Sequence, residues 1–320
     1  MKNKYLFIFL LVVGILIGIA LPGAIDGLRR HFYGAAPGVR VEGYAVGGLL
    51  PEEVMTVLEE VAKKVERPPE NAYYDPDQGR VVPEVVGKKL NRQKTLELVM
   101  AAGQNEQVSA VLEPVHPQVT HSFFQPVFRG DLSRKAMALM INVAWGNEYI
   151  PQMLRILEEY QVKATFFFIG RWVERFPSLF NQIVEAGHEI ANHGYYHGET
   201  NKMSEAELTQ LILQGKEALE KAGAQPAMLF APPAGEYDNR LLRIAASLGY
   251  RTILWTLDTV DWKRPAPEVI VGRVVLKAQN GALVLMHPTE PTVAALPRII
   301  QGLTEKGFTL TTVSDLIGGP

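Results

Sequence analysis

The chain has 320 residues, 47% of them hydrophobic and 21% charged, and a formal net charge of −2. The length favours about two domains of ordinary globular composition. The near-neutral balance, with no basic block, excludes nucleic acid as a partner, and the absence of cysteine excludes a disulfide framework, a thiolate metal site and a thiol nucleophile.

Lys2 and Lys4 precede an uncharged run from Tyr5 to Ile25. As a helix this run is long enough to span a hydrocarbon core of roughly 30 Å. Two readings stay open. The run is a signal anchor, an N-terminal transmembrane helix with Lys2 and Lys4 on the cytoplasmic side, or it is a signal peptide cleaved near Gly23-Ala24. Its length favours the anchor. A buried core helix is the bland alternative, disfavoured because the run has no polar face. Under either membrane reading the remainder lies outside the cytoplasm, tethered or secreted. Residues 1–34 are assigned to this segment and its basic linker, with Arg29, Arg30 and His31.

A small α+β domain is expected over residues 35–120. Val39 to Val46 has strand-forming content and Gly47-Gly48 makes a turn. Pro51 suits a first helical turn, Glu52 and Glu53 its positive end, and Lys63 and Lys64 its negative end. Val54, Val57, Leu58, Val61 and Val65 form one apolar stripe. Asn91 reads as the N-cap of a second helix through Ala102, and Val108–Val115 as a strand. Residues 121–134 read as a linker. From 135 to 320 short apolar runs alternate with amphipathic helices. Strands are expected at Met137–Val143, Ala164–Ile169, His188–Asn192, Met228–Phe230, Arg251–Leu257, Ala282–Met286 and Thr309–Thr312. The longest helix opens on a capping box, Ser204 with Glu207, and carries the stripe Leu208, Leu211, Ile212, Gly215 and Leu219. Such alternation argues for an α/β fold with a parallel sheet, open or closed into a barrel.

Polar residues gather just after the apolar runs: Trp145 to Glu148, His193 to His197, Pro232 to Gly235, Asp258 with Asp261-Trp262, and His287-Pro288. In parallel β/α proteins the carboxyl ends of the strands form the active face, so these loops define one candidate site. His193 and His197, four apart, can turn two imidazoles toward one cation. Taken alone such a pair is more often a surface turn, and a lone His287 more often structural. At a strand end beside two histidines, His287 becomes a candidate acid or base.

Several pieces resemble the polysaccharide deacetylase family, the NodB-homology carbohydrate esterases, over roughly Lys135 to Ile317. They are Ala164-Thr165-Phe166-Phe167, Gly187 to His193, Pro232-Pro233 with Gly235, Trp255 to Trp262, and Leu285-Met286-His287. The resemblance implies a deformed (β/α) barrel and metal-assisted removal of acetyl groups from N-acetylglucosamine-type sugars. More narrowly, the chain looks like the sporulation-associated, membrane-anchored deacetylase-like proteins of spore-forming bacteria. Val39 to about Thr120 resembles a domain type found beside VanW-type modules, to which peptidoglycan binding is ascribed. Gly38-Val39, Gly47-Gly48-Leu49, Pro51-Glu52-Glu53, Asn71-Ala72 and Asp75-Pro76 carry that likeness. A plain spacer is the alternative.

The family's Thr-Phe-Asp-Asp-Gly stretch supplies a general base and a metal ligand. It matches Asn142 to Gly146, which puts Ala144 at the base and Trp145 at the ligand. The resemblance further implies His193 and His197 as metal histidines and His287 as general acid. It leaves Asp258 as the aspartate that would hold a base-orienting arginine, whose own place is Ala231. Base, carboxylate ligand and arginine are thus vacant. Loss of a general base alone costs about 10²–10⁴ in rate, and two imidazoles leave a divalent ion, zinc being the family's expected one, short of ligands. Trp145 is expected to fill the ion's space. Glu148, Glu236 and Asp261 are the carboxylates nearest in sequence that could substitute. Asp258 needs a replacement partner, a backbone N–H or a hydroxyl.

The leading expectation is a deacetylase-fold protein at the cell wall or spore envelope, weak or inactive in catalysis. Its site is read as binding peptidoglycan-like glycan through Trp145, Tyr195, Tyr196, Pro232, Pro233, Gly235, Asp261 and Trp262. An active deacetylase with rearranged ligands and a protein-interaction module are the alternatives.

Overall fold

The computed structural model describes residues 24–318. All but the last two residues of the Tyr5–Ile25 run, and with them the proposed membrane helix, lie outside the described residues. Among the described residues no helix is long and apolar enough to cross a membrane.

The chain forms two compact units, one from residues up to Glu70 with Val85–Pro117, the other from Asn71–Glu84 with Gln118 onward. The expected small domain at 35–120 was continuous. In the structure residues 71–84 leave it and join the larger unit. Unit one holds α1 (24–33), β1 (Arg40–Val41), β2 (Tyr44–Ala45) and α2 (Pro51–Val65). The larger unit then takes β3 (Tyr73–Asp75) and β4 (Arg80–Val82), an antiparallel hairpin. The chain returns to unit one for β5 (Gly87–Leu90), α3 (Arg92–Ala101), β6 (Gln107–Val108) and β7 (Leu112–Val115).

In unit one β1 pairs antiparallel with β2 and parallel with β6, and β5 pairs with β7. Pro51 opens α2, and Glu53 accepts a hydrogen bond from the Leu50 backbone N–H at 2.9 Å. Val54, Leu58 and Val61 are buried with Val41, Val99 and Val108. Asn91 caps α3 by accepting from Lys94 N–H at 2.9 Å. The expected strand Val108–Val115 is two short strands, β6 and β7, in different sheets.

The larger unit continues with β8 (Ala136–Val143), α4 (Ile150–Glu159), β9 (Thr165–Phe168), α5 (Gly170–Arg175), α6 (Pro177–Glu185), β10 (Glu189–Asn192) and α7 (Glu205–Lys221). Then come β11 (Leu229–Phe230), α8 (Asn239–Ser247), β12 (Arg251–Thr252), β13 (Leu257–Asp258), α9 (Pro267–Val275), β14 (Ala282–Met286), α10 (Glu290–Glu305), β15 (Thr309–Thr311) and α11 (Val313–Ile317). The strands pair in parallel in the order β12-β11-β10-β9-β8-β14-β13, and β15 joins the start of β8. All eight residues of β8 are buried, as befits a parallel strand covered on both faces. Met137, Leu139, Ile141 and Val143 pack into the core shared with α4, α6, α9 and α10. Ala136, Ala138 and Met140 face a second core with Phe167, Ala191 and Leu283. That alternation is the two-residue period of a strand.

The expected strand Arg251–Leu257 is divided. β12 and β13 lie at opposite ends of the strand order although only four residues separate them. In between, Leu254 N–H donates to Val127 C=O and Thr256 N–H to Leu283 C=O. The parallel sheet therefore curls until its two edges are the two ends of one extended segment, a curled half-barrel. Ser204 and Glu207 form the expected capping box on α7, and its stripe Leu208, Leu211, Ile212, Gly215 and Leu219 is buried.

Candidate functional site

A cavity of about 360 Å³ opens at the carboxyl ends of β8, β10, β13 and β14. Trp145, His193, His197, Gly235, Asp258, Trp262 and His287 line it, as the sequence led one to expect. Asn142, Ala234, Trp255 and Leu285 also line it. A larger cavity, about 470 Å³, lies between the β3–β4 hairpin and α8. Its charged linings, Glu205 and Arg243, stand 3.7 Å apart as an ion pair, and no histidine reaches it. The smaller cleft is where the chemistry-bearing groups converge.

His193 follows β10, and its backbone N–H donates to Phe168 C=O at 2.8 Å. Its Nδ1 lies 2.6 Å from Ala231 C=O. A carbonyl only accepts, so Nδ1 carries the proton and Nε2 keeps a lone pair while the ring is neutral. The side chain is buried, and burial pushes its pKa down to about 3. His197 stands with its ring centroid 5.6 Å from that of His193, at 73°. Partial burial of its ring lowers its pKa too, although the residue as a whole is exposed at the cleft mouth.

His287, at the end of β14, is held by Asp261. The Asp261 carboxylate is fully buried. It accepts from His287 backbone N–H at 2.6 Å, His287 Nδ1 at 2.8 Å and Thr292 Oγ1 at 2.6 Å. Three donors meet the desolvation cost of this buried carboxylate. Asp261 was expected at the substrate; it is instead the group that fixes His287. Asp258 lines the cleft, and its Oδ1 accepts from Val260 N–H at 2.7 Å. The replacement partner for the missing arginine is thus a backbone amide. Val260 adopts φ +50° to supply it, a conformation costly for a β-branched side chain.

On the β8 side the polar groups are sparse. Ala144 is half-buried and packs against the outer core, away from the cleft lining. Trp145 is 41% exposed, its ring parallel to that of His287 within 8° at 5.8 Å. Expected as a plug in the ion's space, it is a wall of the cleft mouth laid against His287. Gly146 has φ +80°, and a Cβ there would sit 2.0 Å from Pro288 C=O; only glycine lets the β8 loop meet the His287-Pro288 loop so closely. Ala231 supplies its backbone carbonyl to His193. Asn142 is buried, and its Oδ1 lacks a hydrogen-bond partner, a cost of about 1–3 kcal/mol.

Other expected residues serve as scaffold. Pro232 precedes the turn Pro233–Gly235, whose Gly235 has φ +68° and lies against Trp255. Tyr196 is outside the cleft lining; Arg171 stands over its ring at 5.0 Å. Trp262 is 53% exposed at the rim.

A hydrolytic zinc site uses three protein ligands and keeps one position open. Here two imidazoles face the cleft, and the Asp258 carboxylate on the same lining completes no metal-holding group with them. Among the described residues no group of three or more His, Asp or Glu side chains could hold a metal ion. Glu236 acts on His197 through its charge and makes no hydrogen bond to it, and Asp261 is spent on His287. The residues present do not fit the family's ion.

Comparisons with known proteins agree with the fold. The polysaccharide deacetylase family model matches residues 129–253, and that of a candidate peptidoglycan binding domain matches residues 49–109. A peptidoglycan-N-acetylglucosamine deacetylase of Bacillus cereus is 38% identical over 191 residues, 58% of this chain and 89% of that protein. The solved structure of BA3943 from Bacillus anthracis, described as a carbohydrate esterase family 4 pseudoenzyme, is 34% identical with a TM-score of 0.60. That likeness covers 82% of this chain and 94% of the other. A BA3943 mutant with restored enzymatic activity has a TM-score of 0.60 at 33% identity, covering 82% and 97%. The chain belongs to the polysaccharide deacetylase family.

Proposed function

We propose that this protein is a non-hydrolysing member of its family that binds N-acetylglucosamine-containing cell-wall glycan, of the peptidoglycan type, in the cleft. The observation that carries the reading is the donor set: His193, His197 and His287 remain, but with Asp258, the carboxylate on the lining, they form no group among the described residues that could hold a metal ion. What remains suits binding. Trp145 and Trp262 are exposed aromatics on the rim, suited to stacking on a sugar face. Asp261 holds His287 rigidly enough to serve as a hydrogen-bonding wall. The likeness to a pseudoenzyme supports the same reading.

The proposal includes placement outside the cytoplasm, at the membrane, through the uncharged run Tyr5–Ile25. The sporulation-associated assignment rests on sequence resemblance. The test uses the full chain in detergent with an N-acetylglucosamine tetramer. Binding is expected, weakened about tenfold by Trp145→Ala or Trp262→Ala, with no acetate released. Acetate release abolished by a chelator and by His287→Ala would establish the rearranged enzyme instead. Failure to bind any glycan, with capture of a wall protein, would favour the interaction module.

A further inference from the structure

Helix α1 has its two faces reversed. At about 100° per residue, Ile25, Leu28 and Phe32 fall on one side of it, and they are 51%, 57% and 71% exposed. Asp26 and Arg30 fall nearly opposite and face the protein. Arg30 donates to Glu53 at 2.6 and 2.8 Å and to Asp26 at 2.8 Å. Glu53 lies in the first turn of α2, so a charged pair binds α1 to the smaller unit. Ala35, just after α1, is buried in that unit's core and fixes the end of the helix. A helix on the surface of a water-exposed domain does the reverse: its apolar stripe meets the core and its charges meet water. Single exposed apolar residues are ordinary, but a contiguous stripe with the charged side turned inward marks a contact surface.

The chain that leads into α1 says what covers the stripe. Ile25 closes the uncharged run Tyr5–Ile25, which as a helix is long enough to span a hydrocarbon core. Pro22-Gly23, a pair that marks turns, separates α1 from the bulk of that run, so the helix need not continue in the direction of a span. Phe32 is within about 10 Å of Ile25 along the axis, at about 1.5 Å per residue, so the whole stripe stays within reach of the headgroups. Leu and Phe are the residues that an interfacial helix buries there. Arg29 reaches back to Glu52 at 3.2 Å. Both arginines of α1 are thus drawn to α2, and the outward stripe carries no charge to meet water. A second copy of the chain would also cover an apolar stripe, but it would not account for the stripe's place at the end of the apolar run.

We infer that α1 is an interfacial helix whose stripe, Ile25, Leu28 and Phe32, rests in the headgroup region of a lipid bilayer. This rests on the proposed membrane placement and adds to it. The smaller unit, bound to α1 through Arg30 and Glu53, is held at the lipid surface and does not hang from a free tether.

The chain has no cysteine, so a single introduced one can carry a fluorophore. Full-length Leu28→Cys and Phe32→Cys are compared with Gly27→Cys, whose new side chain lies off the stripe and meets nothing within 4 Å. The host is a vesicle of phosphatidylglycerol and phosphatidylethanolamine. A quencher attached to the lipid just below the headgroup is expected to dim the labels at 28 and 32 at least about threefold more than the label at 27, and iodide in the water to show the opposite order. Equal quenching at all three positions overturns the inference and leaves the anchor standing, because the helix then only passes through the headgroups. Labels at 28 and 32 that are shielded from both quenchers also overturn it and assign the stripe to a second copy. A chain that does not float with the vesicles overturns the membrane placement itself. Wild type gives a reading free of substitutions. Phe32 is 71% exposed on the protein and Phe128 44%, so water alone would let hydroxyl radicals modify Phe32 faster. In vesicles Phe32 is expected to react more slowly than Phe128, and the order set by exposure overturns the inference.

Discussion

On the β14 wall of the cleft, His287 is tied by backbone and ring to a fully buried Asp261, which also accepts from Thr292. On the β8 wall, Asn142 has an unpaired oxygen, Ala144 has turned to the outer core, and Trp145 leans on His287 from outside. Both walls follow strands of the same buried sheet, pairing directly as β8 and β14. The difference lies in what their side chains support. Asp261 is part of the fold as much as of the site, since three donors depend on it. A carboxylate at position 144 or 145 would answer only to an ion or a substrate. Alanine and tryptophan can therefore occupy those places without disturbing the sheet, whereas Asp261 cannot be altered alone.

Rebuilding the β8 wall is the strongest challenge to this contrast. Ala144→Asp, Trp145→Asp and Ala231→Arg combined return the family's acid pair and arginine to the β8 and β11 loops that border the cleft of His193, His197 and Asp258. Acetate release from an N-acetylglucosamine oligomer is expected to appear in the presence of zinc, at least about 10²-fold above the wild-type background. Zinc is also expected to raise the unfolding midpoint of that variant and leave wild type unmoved. A triple variant that folds, binds zinc and still releases nothing would mean that the two walls differ by more than these side chains.

Acid stability tests the buried histidines on a second scale. Burial holds His193 near 3 and His188 near 4, below the ordinary 6.5. The unfolded chain therefore takes up protons below 6.5 that the folded one refuses. Stability is full above that pH and is lost as the pH falls toward 4, by roughly 3 kcal/mol for a fully buried ring. Denaturant unfolding at pH 7, 5.5 and 4 is expected to show this slope, and His193→Gln to reduce it by roughly half. An unchanged slope would show that the His193 ring is solvated.

The smallest effect concerns the β14 wall. Asp261→Ala strands three donors and is expected to cost roughly 2–3 kcal/mol in denaturant unfolding. Asp258→Ala, which frees one amide on a half-buried loop, is expected to cost under about 1 kcal/mol. Equal losses would erase the distinction between the two aspartates.

That distinction marks where the sequence stopped being legible. Asp258 and Asp261 both follow the same apolar run, and nothing in their spacing tells which serves His287. The assignment depends on Val260 entering the left-handed region, which carries Asp261 beneath the end of β14. Local signals read directly: the Ser204–Glu207 box, the Asn91 cap and the Pro51 start concern neighbours within a turn. The histidines could be placed at one cleft because strand ends share a face. Asn142 carries a signal of its own, a lone amide in an otherwise apolar strand at the period that faces inward. The division of Arg251–Leu257 into β12 and β13 had no such mark, since it arises from Val127 and Leu283 far away in sequence.

The hairpin at residues 71–84 has a consequence for the chain as a covalent object. The polypeptide passes from one compact unit to the other after Glu70, Glu84 and Pro117. Three peptide connections join the units where a simple two-domain chain has one. A single proteolytic cut at any one crossing leaves the other two intact. Truncation at residue 120 would also carry off Ala72 and Val119, which are buried with Phe123, Phe124 and Ala246, and would open that cluster to water. Neither unit can be cut from the gene as one continuous fragment, so loss or exchange of the smaller unit by simple recombination would damage the larger one.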